Sequence, residues 1–102
     1  MTDYAEVDPV IDAWAQVTVK KVFTEWAGRP ARFAYLPGLR AFECFQIWVG
    51  PPSADRIVVS AASVDTDDTE HFRTWEGPVD CLAAMLDDAT DAVQGWITRP
   101  LA

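Results

Sequence analysis

The chain has little of the material from which catalytic and metal sites are usually built: it has one histidine, two cysteines and five scattered glycines in 102 residues. A single histidine cannot form a two-histidine metal site, and two cysteines cannot supply a disulfide framework or a four-cysteine zinc site. The glycines are too far apart to form a phosphate-binding loop. We therefore predict no metal and no cofactor, and we expect Cys44 and Cys81 to lie in the core as small hydrophobic side chains.

Long apolar runs are also missing. No hydrophobic segment approaches the roughly 18 residues that a membrane-spanning helix needs. The first six residues include two acids, Asp3 and Glu6, and no basic residue, whereas a signal peptide begins with basic residues followed by apolar ones. These features predict that the protein has no membrane contact and a cytoplasmic location.

Basic residues are half as numerous as acidic ones, with eight Lys and Arg against sixteen Asp and Glu and a net charge of −8. Such a charge repels phosphate backbones instead of releasing their counterions. We therefore predict that the protein binds no nucleic acid. An acidic surface suits a basic protein partner.

What the chain does contain is enough apolar material for one core. Half of its residues are hydrophobic and five are tryptophan, a composition that disordered chains do not have. A length of 102 residues leaves room for one domain. We therefore interpret residues 1–102 as a single domain.

The first periodic segment begins at Asp8-Pro9, where Asp8 is a favoured N-cap residue and Pro9 fits the first helical position. Gly28 suits the end of a helix and Pro30 prevents its continuation. The pattern predicts a helix from Asp8 to near Ala27. Its apolar stripe has spacings of three and four, through Ile11, Ala15, Thr18, Val22 and Trp26.

Four β-like segments follow. Residues 32–35 alternate between two faces and end at Pro37-Gly38, an order that suits a type II turn. Further strands are predicted from Ala41 to Val49, from Arg56 to Val64, and, as the shortest, from His71 to Trp75. The strand from Ala41 to Val49 is apolar on both faces, with Phe45, Ile47 and Val49 on one and Phe42, Cys44 and Trp48 on the other.

A second helix is predicted to start at Gly77-Pro78 and to end at Pro100. Its apolar stripe is regular, through Val79, Leu82, Ala83, Leu86, Thr90, Val93 and Ile97. Beside it runs a second apolar line, through Met85, Ala89, Ala92 and Trp96. The elements together predict a two-layer α+β domain in which a four-stranded antiparallel meander carries the N- and C-terminal helices on one face, in the order α-β-β-β-β-α.

Two groups of residues could carry chemistry, and we interpret both as structural. The acidic cluster of Asp65, Asp67, Asp68 and Glu70 does not have the spacing of a calcium-binding loop, and Asp and Thr favour turns. The lone His71 could act as a base for a cysteine, but neither cysteine lies in a nucleophile motif. We predict no catalytic residue.

The tryptophans point to binding instead, because Trp is the residue most enriched at interface hot spots. Covering one sheet face with two helices leaves the other face open, and an open apolar face usually marks an interaction surface. The residues predicted to contact a partner are Phe42, Trp48, Trp75, Met85 and Trp96.

The predicted function is therefore a non-enzymatic protein-binding or adaptor module, which forms a homodimer and has a basic protein partner. The alternative is a small-ligand-binding protein or a minor enzyme with a pocket between the helices and the sheet. In that pocket Arg32, Arg40 or Arg73 would orient an anion. The sequence leaves both hypotheses open.

Overall fold

A computed structural model describes residues 4–18, 21–39, 43–65 and 70–98. The strands form one sheet in the sequential order β1-β2-β3-β4-β5, and every neighbouring pair is antiparallel. The predicted α+β class is confirmed, but the sheet has five strands instead of four. The elements are α1 (Asp8–Thr18), β1 (Phe23–Trp26), β2 (Arg29–Pro37), β3 (Cys44–Val49), β4 (Arg56–Ser63), β5 (Phe72–Pro78), a single 3-10 turn (Val79–Cys81) and α2 (Leu82–Thr98).

The additional strand takes the place of the second half of the predicted first helix. Helix α1 spans Asp8–Thr18, and residues 23–26, which the periodicity predicts to be helical, form β1. The segment between Val17 and Trp26 is rich in β-branched and aromatic residues, which favour strands. Trp26 is 68% exposed instead of lying in the core. The helical spacing of Val22 and Trp26 therefore did not reflect a helix.

The turn between β1 and β2 explains why Gly28 misled the sequence interpretation. Trp26 pairs with Arg29, so that the hairpin loop consists of Ala27 and Gly28 alone. Their φ angles are 53° and 78°. Positive φ at both central residues is characteristic of the type I′ turn that suits two-residue hairpins. Gly28 thus reverses a hairpin and does not end a helix.

Ala27 is a test of this turn, because alanine is strained at positive φ and asparagine tolerates it. We expect Ala27→Asn to raise the free energy of unfolding by about 0.5–1 kcal/mol. The matched control is Ala83→Asn on the exposed side of α2, which is expected to lower it by about 0.5 kcal/mol. Urea unfolding measures both changes, and a loss of stability in Ala27→Asn would contradict the hairpin turn.

The other connections also differ in detail from the prediction. Pro37 pairs with Cys44, and the N–H of Gly38 donates to the carbonyl of Glu43 at 2.8 Å. The hairpin is therefore real, but its loop spans residues 38–43, and Gly38 does not have the positive φ that a type II turn requires. Part of that loop, residues 40–42, lies outside the described residues.

The second helix begins later than predicted. Gly77 and Pro78 end β5, where Gly77 pairs with Ile57 and Pro78 with Arg56. Proline is acceptable there because β5 is an edge strand of the sheet. The 3-10 turn then leads into α2, which begins at Leu82.

Both helices lie on one face of the sheet. The inward positions of β3 are almost completely buried: Phe45, Ile47 and Val49 are 2%, 1% and 4% exposed. The sequence placed these three residues on one face and left open whether that face or the opposite one meets the helices. They belong to a core that also contains Ala34, Leu36, Ile57, Val59 and Ala61 from the sheet, Val7, Ile11 and Trp14 from the N-terminal segment, and Leu82, Leu86, Ala89 and Val93 from α2. No described helix covers the opposite face of the sheet.

Candidate functional site

Aromatic side chains collect on the uncovered face of the sheet. Alternation along the strands turns Phe33 and Tyr35 of β2 and Trp48 of β3 away from the helices, since their strand neighbours Ala34, Leu36, Ile47 and Val49 are buried beneath the helices. Rings from the edge strands join them. We call Phe23, Trp26, Phe33, Tyr35, Trp48 and Phe72 the aromatic face.

The rings of the aromatic face are in contact with one another. Phe33 is central: its ring centroid lies 5.1 Å from that of Phe23, 5.8 Å from that of Tyr35 and 6.1 Å from that of Trp26. On the same face, toward the β5 edge, the ring centroid of Trp48 lies 6.3 Å from that of Phe72. Such spacings are those of favourable aromatic pairs. The face is therefore an ordered surface whose rings support one another.

Several of these rings remain open to solvent. Trp26 is 68% exposed and Phe72 58%, at the two edge strands, and Tyr35 is 37% exposed between them. Trp26, Phe33, Tyr35, Gln46 and Trp48 are among the residues that line a shallow hollow of about 580 Å³ in this surface. Contiguous apolar surface of this kind marks a place where a protein contacts something else.

The centre of this face carries no charge. The outward positions that lie in register across β2 to β5 are Phe33, Tyr35, Gln46, Trp48, Ser60, Ala62, Phe72 and Thr74, and none of them is ionisable except the phenol of Tyr35. The helical layer is the opposite. Its described charged side chains, in α1, the 3-10 turn and α2, are all acidic: Asp8, Asp12, Asp80, Asp87, Asp88 and Asp91. The helices thus carry acids only, whereas charge near the aromatic face lies at its border. Glu76 is the next outward position of β5 beyond Thr74, and the ammonium of Lys21 lies 4.6 Å from the centroid of Phe23.

One end of the sheet is tied to α1 by Arg32. Its Nε–H and Nη2–H groups donate to the two carboxylate oxygens of Asp8 at 2.7 and 3.1 Å, and Nη1 donates to the carbonyls of Ala31 and Thr24 at 2.7 and 3.2 Å. Its guanidinium also lies over the ring of Tyr4, 4.5 Å from the centroid. The hydrogen bond to Asp8 raises the pKa of Arg32. This guanidinium is therefore fully engaged within the protein.

The other arginines of the ligand-binding hypothesis are placed differently. The guanidinium of Arg73 lies over the ring of Trp75 at 4.9 Å from its centroid. Arg40 lies outside the described residues. Of the two described arginines of that hypothesis, Arg32 borders the hollow on the aromatic face and Arg73 does not.

The candidate nucleophiles lie apart in the fold. Cys44 is half-buried at the start of β3, and burial raises the pKa of its thiol, which disfavours the reactive thiolate. Cys81 is exposed at the end of the 3-10 turn, so its expected place in the core was wrong. The ring of His71 packs against Phe45 and Trp96, at centroid distances of 5.7 and 5.2 Å.

Two partly buried groups, the Cys44 thiol and the Tyr4 hydroxyl, make the stability of the fold depend on pH in the alkaline range. Burial raises the pKa of the Cys44 thiol above its ordinary value of 9.0. For the Tyr4 hydroxyl, burial is the largest of several effects, and the pKa is raised above its ordinary value of 10.0. Both groups therefore stay neutral in the folded protein at pH values that already ionise them in the unfolded chain. The stability that they contribute is complete below their ordinary pKa values and is lost as the pH rises through their raised pKa values in the folded protein. We expect the free energy of unfolding to fall progressively above about pH 9.

Urea unfolding from about pH 8 to pH 11 measures that loss. Cys44→Ala should flatten the first part of the profile and Tyr4→Phe the second. Tyr4→Phe will also lower stability at every pH, because the Tyr4 hydroxyl donates to the carbonyl of Val49 at 3.0 Å. This assignment would be contradicted if the free energy of unfolding fell equally steeply with pH in the wild type and in both variants.

The structure separates the five predicted contact residues into different environments. Trp48 lies on the aromatic face, and Phe42 lies outside the described residues. Trp75 and Trp96 are half-buried against the core, where Trp96 lies 5.8 Å from Phe45. Met85 is only 7% exposed. The second apolar line of α2 is therefore largely used inside the monomer.

Five residues of the aromatic face were not among the predicted contacts: Phe23, Trp26, Phe33, Tyr35 and Phe72. Trp26 was missed because its segment was assigned to a helix. The sequence did contain a signal for Phe33 and Tyr35, since the two rings alternate with the small Ala34 on a single strand. Phe72 could not be placed without the register between β4 and β5.

The described residues contain no group of three or more His, Cys, Asp or Glu side chains that could hold a metal ion. The middle of the predicted acidic turn, residues 66–69, lies outside them. Nor does any helix among them have both the length and the hydropathy to cross a bilayer. Comparison with protein-family models, with curated proteins and with solved structures finds no match to this chain.

Proposed function

We propose that the protein is a non-enzymatic protein-binding module and that the aromatic face is its contact surface. The observation that carries this proposal is the combination of exposed, mutually packed rings with a centre that holds no charge. Interface cores are enriched in aromatic residues and depleted of charged ones. A cytoplasmic location remains part of the proposal.

The acidic helical layer supports a second element of the proposal, a basic protein partner. Its described acids lie on the side opposite the aromatic face, where a basic surface could be attracted without displacing any apolar contact. Together, an apolar face and an acidic face suit an adaptor that holds two proteins at once. The predicted homodimer belongs to the same proposal.

A small-ligand site receives less support from the same surface. The hollow of about 580 Å³ lies on the open face of the sheet instead of between the helices and the sheet. Ligand sites combine an enclosed apolar cavity with a few convergent polar groups. Here Gln46 is one of the few polar side chains, and the adjacent Arg32 already donates to Asp8 and to two carbonyls.

The test is protein association that depends on the aromatic face. Tagged wild type, Trp26→Glu and Phe72→Glu would be compared in capture from a lysate of the source organism, with mass spectrometry as the readout. Both substituted residues are largely exposed, so their replacement leaves the monomer core intact. The matched control is Val17→Glu, which places the same charge at an 87% exposed apolar residue of α1.

We expect the wild type and Val17→Glu to retain the same proteins, including untagged copies of this chain, and the two aromatic-face variants to lose them. The proposal would be overturned by a set of captured proteins that is identical for all four chains. Circular dichroism confirms that each variant is folded.

A further inference from the structure

We infer that the occupant of the aromatic face is a second copy of this chain, packed sheet to sheet about a two-fold axis. This inference rests on the proposed function, since it names the partner of the same surface. In such a dimer the two uncovered sheet faces meet and the two helical layers point outward. The contact is isologous, so that each pairing of residues occurs twice.

Charge selects this occupant over a basic partner. Each chain carries a net charge of −8, and a basic protein would bind best where acids surround the contact. The described acids of the helices lie on the far side, the two central rows of the aromatic face have none, and Glu76 lies at their border, one outward position beyond Thr74. Packing sheet to sheet keeps the two acidic layers as far apart as the fold allows. The charge distribution therefore favours a like chain at this surface.

The strand register supplies the geometry. Two rows of outward side chains cross the sheet from β2 to β5. One row consists of Tyr35, Gln46, Ala62 and Phe72, and the other of Phe33, Trp48, Ser60 and Thr74. The rings of Trp48 and Phe72 meet above β4, 6.3 Å apart, and Ser60, which lies between their strands, is only 6% exposed. The hollow lies on the other side of Trp48, over β2 and β3. Consider a two-fold axis that lies between the two sheets, parallel to the strands and midway between β3 and β4. It places β3 of one copy opposite β4 of the other, and β2 of one copy opposite β5 of the other.

With that axis the ring pair of Trp48 and Phe72 in one copy faces the hollow of the other. Strand β3 lies opposite β4 of the second copy and β2 opposite its β5, so that Tyr35 faces Phe72 of the second copy. The exposed Phe72 ring thereby reaches the hollow, of which Tyr35 and Gln46 form part of the wall. An axis through β3 would instead place Trp48 against Trp48, too much volume for a layer about 10 Å thick.

Sedimentation equilibrium is the first test. The wild type and Val17→Glu should be dimers at tens of micromolar. Phe72→Glu and, as a second variant, Tyr35→Glu should have dissociation constants raised about a hundredfold, because the new carboxylate would be buried in the contact without a partner. Circular dichroism is the folding control.

A trans rescue tests the axis itself. Adding Tyr35→Lys to Phe72→Glu should recover at least tenfold of the lost affinity, since the new lysine would meet the glutamate of the other copy. Within one chain β2 and β5 are separated by two strands, about 14 Å, so the pair cannot form internally. Absence of rescue would overturn this axis.

Salt distinguishes self-association from binding of a basic partner. Screening the repulsion between two chains of −8 should strengthen the dimer as salt is added, whereas contact with a basic partner would weaken. A monomeric wild type that still captures proteins through the aromatic face would overturn this inference and leave the proposed function standing. A monomeric wild type whose captured proteins do not depend on that face would overturn both.

Discussion

Trp14→Ala is expected to lower the free energy of unfolding by about 3–5 kcal/mol, the range for removing a large aromatic side chain from a core. Trp14 is 7% exposed and belongs to the core cluster between the helices and the sheet. Its Nε1–H group donates to the hydroxyl of Thr90 at 2.9 Å, which joins α1 to α2. Removing the indole therefore creates a cavity and breaks this link. Chemical denaturation followed by circular dichroism measures the loss.

Two conservative variants separate the contributions. Trp14→Phe keeps an aromatic ring and removes the donor, and Thr90→Val keeps the volume and removes the acceptor. Each is expected to cost about 1–2 kcal/mol, the cost of losing one partner of a buried hydrogen bond. Thr90→Val also loses the bond from the Thr90 hydroxyl to the carbonyl of Leu86 at 2.8 Å. A loss below about 1 kcal/mol in Trp14→Ala would show that α1 is not packed as described.

Arg32→Met is expected to lower the free energy of unfolding by about 1.5–3 kcal/mol, the range for hydrogen bonds to charged groups. Methionine retains the apolar stem, so the change isolates the bonds to Asp8 and to the two carbonyls. Arg32→Lys should recover little of the loss, because an ammonium group cannot donate in the planar, bidentate geometry of a guanidinium. The raised pKa of Arg32 keeps the side chain charged, so the loss should be nearly constant around neutral pH.

Arg56→Met is the matched control, since Arg56 is an exposed arginine of β4. Surface changes of that kind usually stay within about 0.5 kcal/mol. Equal losses in the two variants would show that Arg32 acts only as a surface charge. Urea unfolding at neutral pH measures both.

The sequence predicted best where a single local signal determines structure. Asp8-Pro9 marked the beginning of α1, and the alternation in β3 placed Phe45, Ile47 and Val49 on one shared face, which is the buried one in the structure. Period-two alternation shows which side chains share a face whatever the neighbouring strands are. Alternation within one strand left open which of the two faces is buried and which rings from other strands join the outward face.

The sequence-based prediction was wrong where a helical spacing and an apparent helix end coincided by chance. Val22 and Trp26 continue the helical spacing of α1, and Ala27-Gly28 resembles a helix end, yet these residues form a strand and a hairpin turn. The pairing of β1 with β2 decided the outcome, and such non-local contacts overrule weak local preferences. The missed strand also concealed Trp26 and Phe23 as members of the aromatic face.

In the proposed dimer the aromatic face is covered by another copy of this chain. Hydroxyl-radical footprinting by mass spectrometry, on wild type at tens of micromolar and at hundredfold dilution, tests it most directly. We expect Tyr35 and Phe72 to be oxidised more slowly at the higher concentration and Val17 to react equally at both. Oxidation rates of Tyr35 and Phe72 that do not change with concentration, or protection confined to the helices, would contradict it.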